Sequence, residues 1–170
     1  MNSQEQNARF VEWARSYDAV LWKIARLYAP AGEHEALHQD LLIALWHAAP
    51  LYRAQAKAST FIYRVALNSA MNWSRSRTRY GRRHVALDEK SAQAPSKDNE
   101  SDERERQVEQ LYAALATLSE ADRSIALLYL DELSYREIAD VLGITESNVG
   151  VRLNRVKKRL MERLRKENQQ

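Results

Sequence analysis

The stretch Leu133–Arg165, LSYREIADVLGITESNVGVRLNRVKKRLMERLR, restricts the fold of this chain more than any other. Ser134 followed three residues later by Glu137 is a capping box, which predicts a helix starting at Tyr135. Ile138, Ala139, Val141 and Leu142 form its apolar face. Gly143 supplies the positive φ that ends a helix, and Ile144 is expected to fold back onto the core. Thr145 is a good N-cap for a second helix, in which Val149, Leu153, Val156, Leu160 and Leu164 recur at spacings of three and four. The other faces of that helix carry amide, guanidinium and ammonium groups. An apolar seam backed by such donors suits a DNA major groove. Thr145, Ser147, Asn148, Val151, Arg152, Asn154, Arg155 and Lys158 are the candidate contacts, with Arg152 suited either to pair bidentate with guanine or to clamp a phosphate. A helix–glycine turn–helix pair also occurs as a plain packing unit, so the remaining chain has to decide between the two readings.

With 45% hydrophobic residues in a chain of 170, there is material for one modest core or two small ones. Only 4 glycines and 3 prolines among many Ala, Leu, Arg and Glu predict an all-α protein. The absence of cysteine excludes a disulfide framework and thiolate metal sites. No apolar run is long enough to span a bilayer, and the polar start MNSQEQN does not read as a signal peptide, so the expected compartment is the cytoplasm and no membrane partner is expected.

Glu5 to Ala29 reads as one amphipathic helix with Phe10, Trp13, Tyr17, Leu21, Ile24 and Tyr28 in its apolar set, ended by Pro30 and Gly32. Glu33 to Ala49 reads as a second, with Leu37, Leu41, Leu42, Leu45 and Trp46 inward and an acidic outer side of Glu33, Glu35, Gln39 and Asp40. His34 and His38 are four apart on it, but no third ligand accompanies them, so no metal is expected. From Leu41 to Leu87 there is no Asp or Glu, while Arg53, Lys57, Arg64, Arg75, Arg77, Arg79, Arg82 and Arg83 accumulate. Ser59 or Thr60 should cap a helix running through Phe61, Tyr63 and Trp73. Aromatic faces mixed with guanidinium groups suit a single nucleic-acid strand, although Trp73 reads equally well as core. Asp88–Arg106 is polar, acidic on balance and lacks apolar periodicity, as a flexible linker does. It divides two small helical domains, 1–87 and 107–170, the second ending in the helix-turn-helix. In that second domain Ile125, Leu127, Leu128, Tyr129 and Leu130 are expected to pack beneath the motif. A phosphate loop, a nucleophile–base pair and a closed metal set are all missing, so no catalytic residues, cofactor or enzymatic activity are expected.

In this order the segments resemble a bacterial extracytoplasmic-function sigma factor, and the resemblance covers nearly the whole chain. LSYREIADVLGITESNVGVRLNRVKKRL is similar to the family's fourth region, EHEALHQDLLIALW to the acidic helix of its second, and FIYRVALNSAMNW to the segment after it, with Phe61 at a Trp position. The resemblance implies a transcription-initiation factor that lends promoter recognition to core RNA polymerase. Glu33, Glu35, Leu37, Gln39, Asp40 and Leu41 would dock on the clamp helices of the largest subunit, with a further contact at the flap region. Arg53, Lys57, Phe61, Tyr63, Arg64, Asn68, Trp73, Arg75, Arg77 and Arg79 would melt and hold the minus-ten element. The C-terminal domain would read the minus-thirty-five element as duplex DNA.

Two departures stand out. Gly150 replaces a usual basic or polar residue on the recognition helix, at a cost of about 1 kcal/mol in helix propensity. Ala36 replaces a usual acid on the docking helix. Some relatives that lack this acid depend on a protein kinase, which makes Ser59 and Thr60 candidate phosphorylation sites. An anti-sigma factor is the other partner the resemblance implies. The competing reading is a one-component helix-turn-helix regulator whose first 87 residues sense a ligand or partner.

Overall fold

The computed structural model describes residues 3–81 and 101–167, in which seven α-helices and one short 3-10 turn occur and no strand does. The chain resolves into two compact units, one built on the first three helices and the other on the last four.

In the first unit α1 (Ser3–Tyr28), α2 (His34–Ala48) and α3 (Ala58–Gly81) pack against one another around Leu21, Ile24, Leu37, Leu41, Leu45, Ile62 and Leu67. Gly32, at φ 90°, reverses the chain between α1 and α2. Pro50 sits in the first turn of the 3-10 piece Ala49–Leu51, where its missing N–H costs nothing. The second unit contains α4 (Ser101–Ala116), α5 (Glu120–Leu130), α6 (Tyr135–Leu142) and α7 (Glu146–Glu167). Its core is Leu115, Ile125, Leu128, Ile138 and Leu153, with Val149 and Val156 beside them.

The local signals of the helix-turn-helix form as the sequence predicts. The Ser134 hydroxyl accepts from the Glu137 N–H while the Glu137 carboxylate accepts from the Ser134 N–H. Gly143 adopts φ 68°, and both its own N–H and that of Ile144 donate to the Ala139 carbonyl. Thr145 Oγ1 accepts from the Asn148 N–H at 3.2 Å, so α7 starts with its side-chain cap in place.

Several expectations need correcting. Trp46 is 39% exposed; its indole donates to Asn7 Oδ1 at 3.2 Å and its carbonyl accepts from Gln6. The buried stripe of α2 runs Leu37, Leu41, Leu45, Ala48, and Trp46 lies about 100° round from it. Tyr129 and Leu130 are exposed because the buried segment of the short α5 ends at Leu128. Helix α3 begins at Ala58, with Phe61 N–H donating to the Lys57 carbonyl, so Ser59 and Thr60 lie inside the first turn and neither caps it. Ser101–Arg106 is the opening of α4, although its polar composition reads as linker; residues 88–100 of that segment, with Arg82 and Arg83, fall outside the described residues.

Candidate nucleic-acid and polymerase interfaces

Helix α7 has three distinct sides. Val149, Leu153 and Val156 are buried. Opposite them Ser147, Val151, Asn154, Arg155 and Lys158 are exposed, at the steps of four, three, one and three that keep residues on one side of a helix. Thr145 and Asn148 are exposed at its N-terminal end. Arg152 lies off this line and half-buried. Its Nε stands 4.0 Å from Asp122 Oδ1, and Arg159 Nη1 stands 3.5 Å from Asp122 Oδ2. Asp122 sits in the first turn of α5, where the Ser119 hydroxyl accepts from its N–H. One carboxylate therefore gathers two guanidinium groups on one flank of α7. Of the two roles open to Arg152 in the sequence, this flank placement is the one a phosphate contact would use.

On the other flank Lys157 Nζ donates to Tyr129 Oη at 3.0 Å and lies 4.1 Å from the centre of the Tyr129 ring. That hydrogen bond raises the Lys157 pKa above its ordinary value, so the ammonium keeps its charge. Lys157 is one of the ammonium groups the sequence places on the outer faces of this helix, and Tyr129 fixes its position. Gly150 sits against Tyr135, whose Cε2 would be 3.6 Å from an added Cβ.

In the first unit the residues expected to hold an opened strand fall into two groups. Arg53, Lys57, Arg64, Asn68, Arg75 and Arg77 are exposed. Arg79 lies on α3, and its side chain is outside the described part. Tyr63 is buried, a core residue where a strand contact was expected, and Trp73 is half-buried beneath Arg77, 5.7 Å from the ring centre to the guanidinium. Arg77 also bonds to the Glu33 carboxylate, so one expected DNA contact and one expected polymerase contact hold each other.

Phe61 forms an aromatic cluster with Trp13 and Tyr52, at centroid distances of 5.8 and 5.3 Å. Trp13 meets Tyr52 edge-on at 5.4 Å, and Arg9 stands over the Tyr52 ring. The Tyr52 hydroxyl donates to the Ala56 carbonyl at 2.8 Å, closing a loop in which Ala54 takes φ 55°. A closed loop on an aromatic base, with Arg53 and Lys57 exposed beside it, can receive an unstacked base and its phosphates.

Helix α2 presents Glu35, Gln39 and Asp40 outward, whereas Leu37 and Leu41 are fully buried and belong to the core rather than to a docking face. Sequence reasoning missed Ile43, which is 55% exposed and shares the face of Gln39 and Asp40 at spacings of four and three. Its signal was apolar, so periodicity assigned it no role. His38 turns inward, 3.0 Å from Asp18 Oδ1 and stacked on Trp22 at 4.2 Å, away from the i,i+4 metal pairing with His34. Thr60 is only 6% exposed, so its hydroxyl is closed to a kinase while the first turn of α3 is formed; Ser59 is half-buried.

Two small helical units, the second presenting a capped helix-turn-helix with a polar outward line, define a helical architecture of the DNA-binding helix-turn-helix class. Residues 13–80 match Sigma-70 region 2, and residues 108–160 match Sigma-70, region 4. The chain belongs to the sigma-70 family, in its two-region extracytoplasmic-function form, and functions in transcription initiation as a sigma factor. It is 27% identical over 132 residues to the RNA polymerase sigma factor YlaC of Bacillus subtilis (strain 168), covering 76% of each chain. The fold is similar to RpoE of Bartonella quintana, solved with the anti-sigma factor NepR (TM-score 0.73, 21% identity, 92% of this chain and 96% of that one). It is also similar to CnrH, solved with the cytosolic domain of CnrY (TM-score 0.65, 18% identity, 91% and 86%). The region 2 match disfavours the sensor-domain alternative. The family is not an enzyme class, and among the described residues no helix is long and apolar enough to cross a membrane.

Proposed function

We propose that α7 reads the minus-thirty-five element in the major groove while the first unit docks on core RNA polymerase and holds the opened minus-ten strand. The observation that carries the reading is the outward line of Ser147, Val151, Asn154, Arg155 and Lys158, set opposite a fully buried stripe. The docking face is the Glu35, Gln39, Asp40 and Ile43 side of α2, meeting the clamp helices of the largest subunit, with the flap region contacting the second unit. The strand is held at the Tyr52–Lys57 loop, with Phe61 beneath it and Arg53, Lys57, Arg64 and Arg75 supplying phosphate contacts. The residues between 88 and 100 would join the two readers, so that binding by one raises the effective concentration of the other. An anti-sigma factor, such as RpoE is recorded with, would compete for the docking faces. The working compartment is the cytoplasm, where core polymerase and promoter DNA are.

The reading is tested with holoenzyme reconstituted from the full-length protein and core polymerase. Neutralising Arg155 and Lys158 together should abolish footprint protection of the minus-thirty-five element and leave polymerase capture intact. Protection that survives the double change would remove α7 from the groove.

A further inference from the structure

Resting on the assignment of α7 to the major groove, we propose that Val151 reads the C5-methyl group of a thymine in the minus-thirty-five element. Val151 is 52% exposed at the middle of the outward line, in the second turn of the helix. Recognition helices place their N-terminal turns against base edges. Its neighbours on that line, Ser147, Asn154, Arg155 and Lys158, all carry hydrogen-bonding groups, and Val151 has none.

Two further facts leave this position to Val151. Gly150 brings no side chain, and the space its Cβ would enter adjoins the Tyr135 ring. Arg152, the next residue, is drawn to the flank by Asp122. Between the polar groups of the first turn and those at Asn154 and Arg155, the helix therefore offers the groove one branched apolar side chain. In the major groove thymine alone among the four bases presents an apolar group, its methyl. A cytosine there would put its amino group against the valine methyls, and a purine its acceptors, each losing hydrogen bonds to water without replacement. The valine thus selects by a favourable methyl contact and by leaving the other bases unsatisfied.

The test uses two random duplex libraries of identical design, one synthesised with deoxyuridine in place of thymidine throughout. Each is selected with holoenzyme containing the full-length protein, either wild type or Val151→Ser. Serine has a helix propensity close to that of valine, and the site is exposed, so the variant should melt as the wild type does. Wild type should enrich one thymine position from the first library, and replacing thymidine by deoxyuridine there should weaken binding about three- to fourfold, the effect of one buried methyl. Val151→Ser should not distinguish the two libraries at that position. Equal enrichment from both libraries by wild type overturns the proposal. A methyl preference that persists in Val151→Ser also overturns it, because another group then reads the methyl. Failure of wild type to enrich any duplex motif in the minus-thirty-five register overturns the groove assignment itself, and the proposal with it.

Discussion

Arg152 Nε lies 4.0 Å from Asp122 Oδ1, which ties the recognition helix to the first turn of α5. The carboxylate also holds Arg159, so the pair of arginines is ordered along one flank of α7. A guanidinium held at the flank would meet phosphate, whose contacts set register and orientation but carry no sequence information. Arg152→Ala should therefore weaken binding to all duplexes alike and reduce the slope of log K against log salt by about one unit. Titrations of matched and mismatched duplexes across a salt series check this. Selective loss at one base pair would restore Arg152 as a base reader.

The contrast with Val149 shows where the sequence is informative. A stripe at spacings of three and four, a capping box and a terminating glycine are local signals, and the structure repeats them, with Val149, Leu153 and Val156 buried, Leu160 half-buried and the Leu164 side chain outside the described residues. Arg152 is one step of 100° from Val151, so its charge reads as groove-facing until Asp122, 30 residues earlier in the chain, is seen beside it. Thr60 fails for a related reason. Its type suits a cap, but the helix starts two residues earlier and turns it to the core. The resemblance takes in Leu37 and Leu41 because it covers the whole docking helix, while burial separates the two faces of that helix residue by residue. What the sequence hides is side-chain direction and the partner that sets it.

Gly150 is open to a stability test. An added Cβ would meet the Tyr135 ring at 3.6 Å, an ordinary van der Waals distance, and the backbone there is helical. Gly150→Ala should stabilise the second unit by about 1 kcal/mol through helix propensity, with the new methyl resting on the tyrosine ring. Thermal melting of the full-length protein should show the corresponding transition raised by several degrees. An unchanged or lowered midpoint would mean that Tyr135 cannot accept the methyl.

Tyr52 links the aromatic cluster to the loop beside it. Its hydroxyl donates to the Ala56 carbonyl at 2.8 Å, and its ring packs on Trp13 and Phe61. Tyr52→Phe keeps the packing and removes one exposed hydrogen bond, a loss of about 1 kcal/mol in loop order. Promoter opening, read by permanganate reactivity of the minus-ten thymines, should fall several-fold, while duplex binding at the minus-thirty-five element should not change. Equal loss in both assays would indicate a folding defect, and unchanged opening would detach the loop from strand capture.

Ala36 lies four residues before Asp40, on the outward side of α2 with Gln39 and Ile43. The polymerase surface this side would meet is basic by the family resemblance, and of the positions 36 and 40 this chain carries an acid only at 40, with Glu35 the neighbouring outward acid. Exposed charges at an interface rim change the association rate more than the depth of binding. Ala36→Asp should therefore raise the association rate with core polymerase and steepen its salt dependence, with little change in dissociation. Its position in the first turn of α2 also favours a negative charge, so the variant should fold at least as stably as wild type. Stopped-flow association at two ionic strengths distinguishes the possibilities. A rate indifferent to the substitution at low salt would place the clamp contact on another part of the first unit, and the exposed Ile43 would then lose its claim to the docking face along with Asp40.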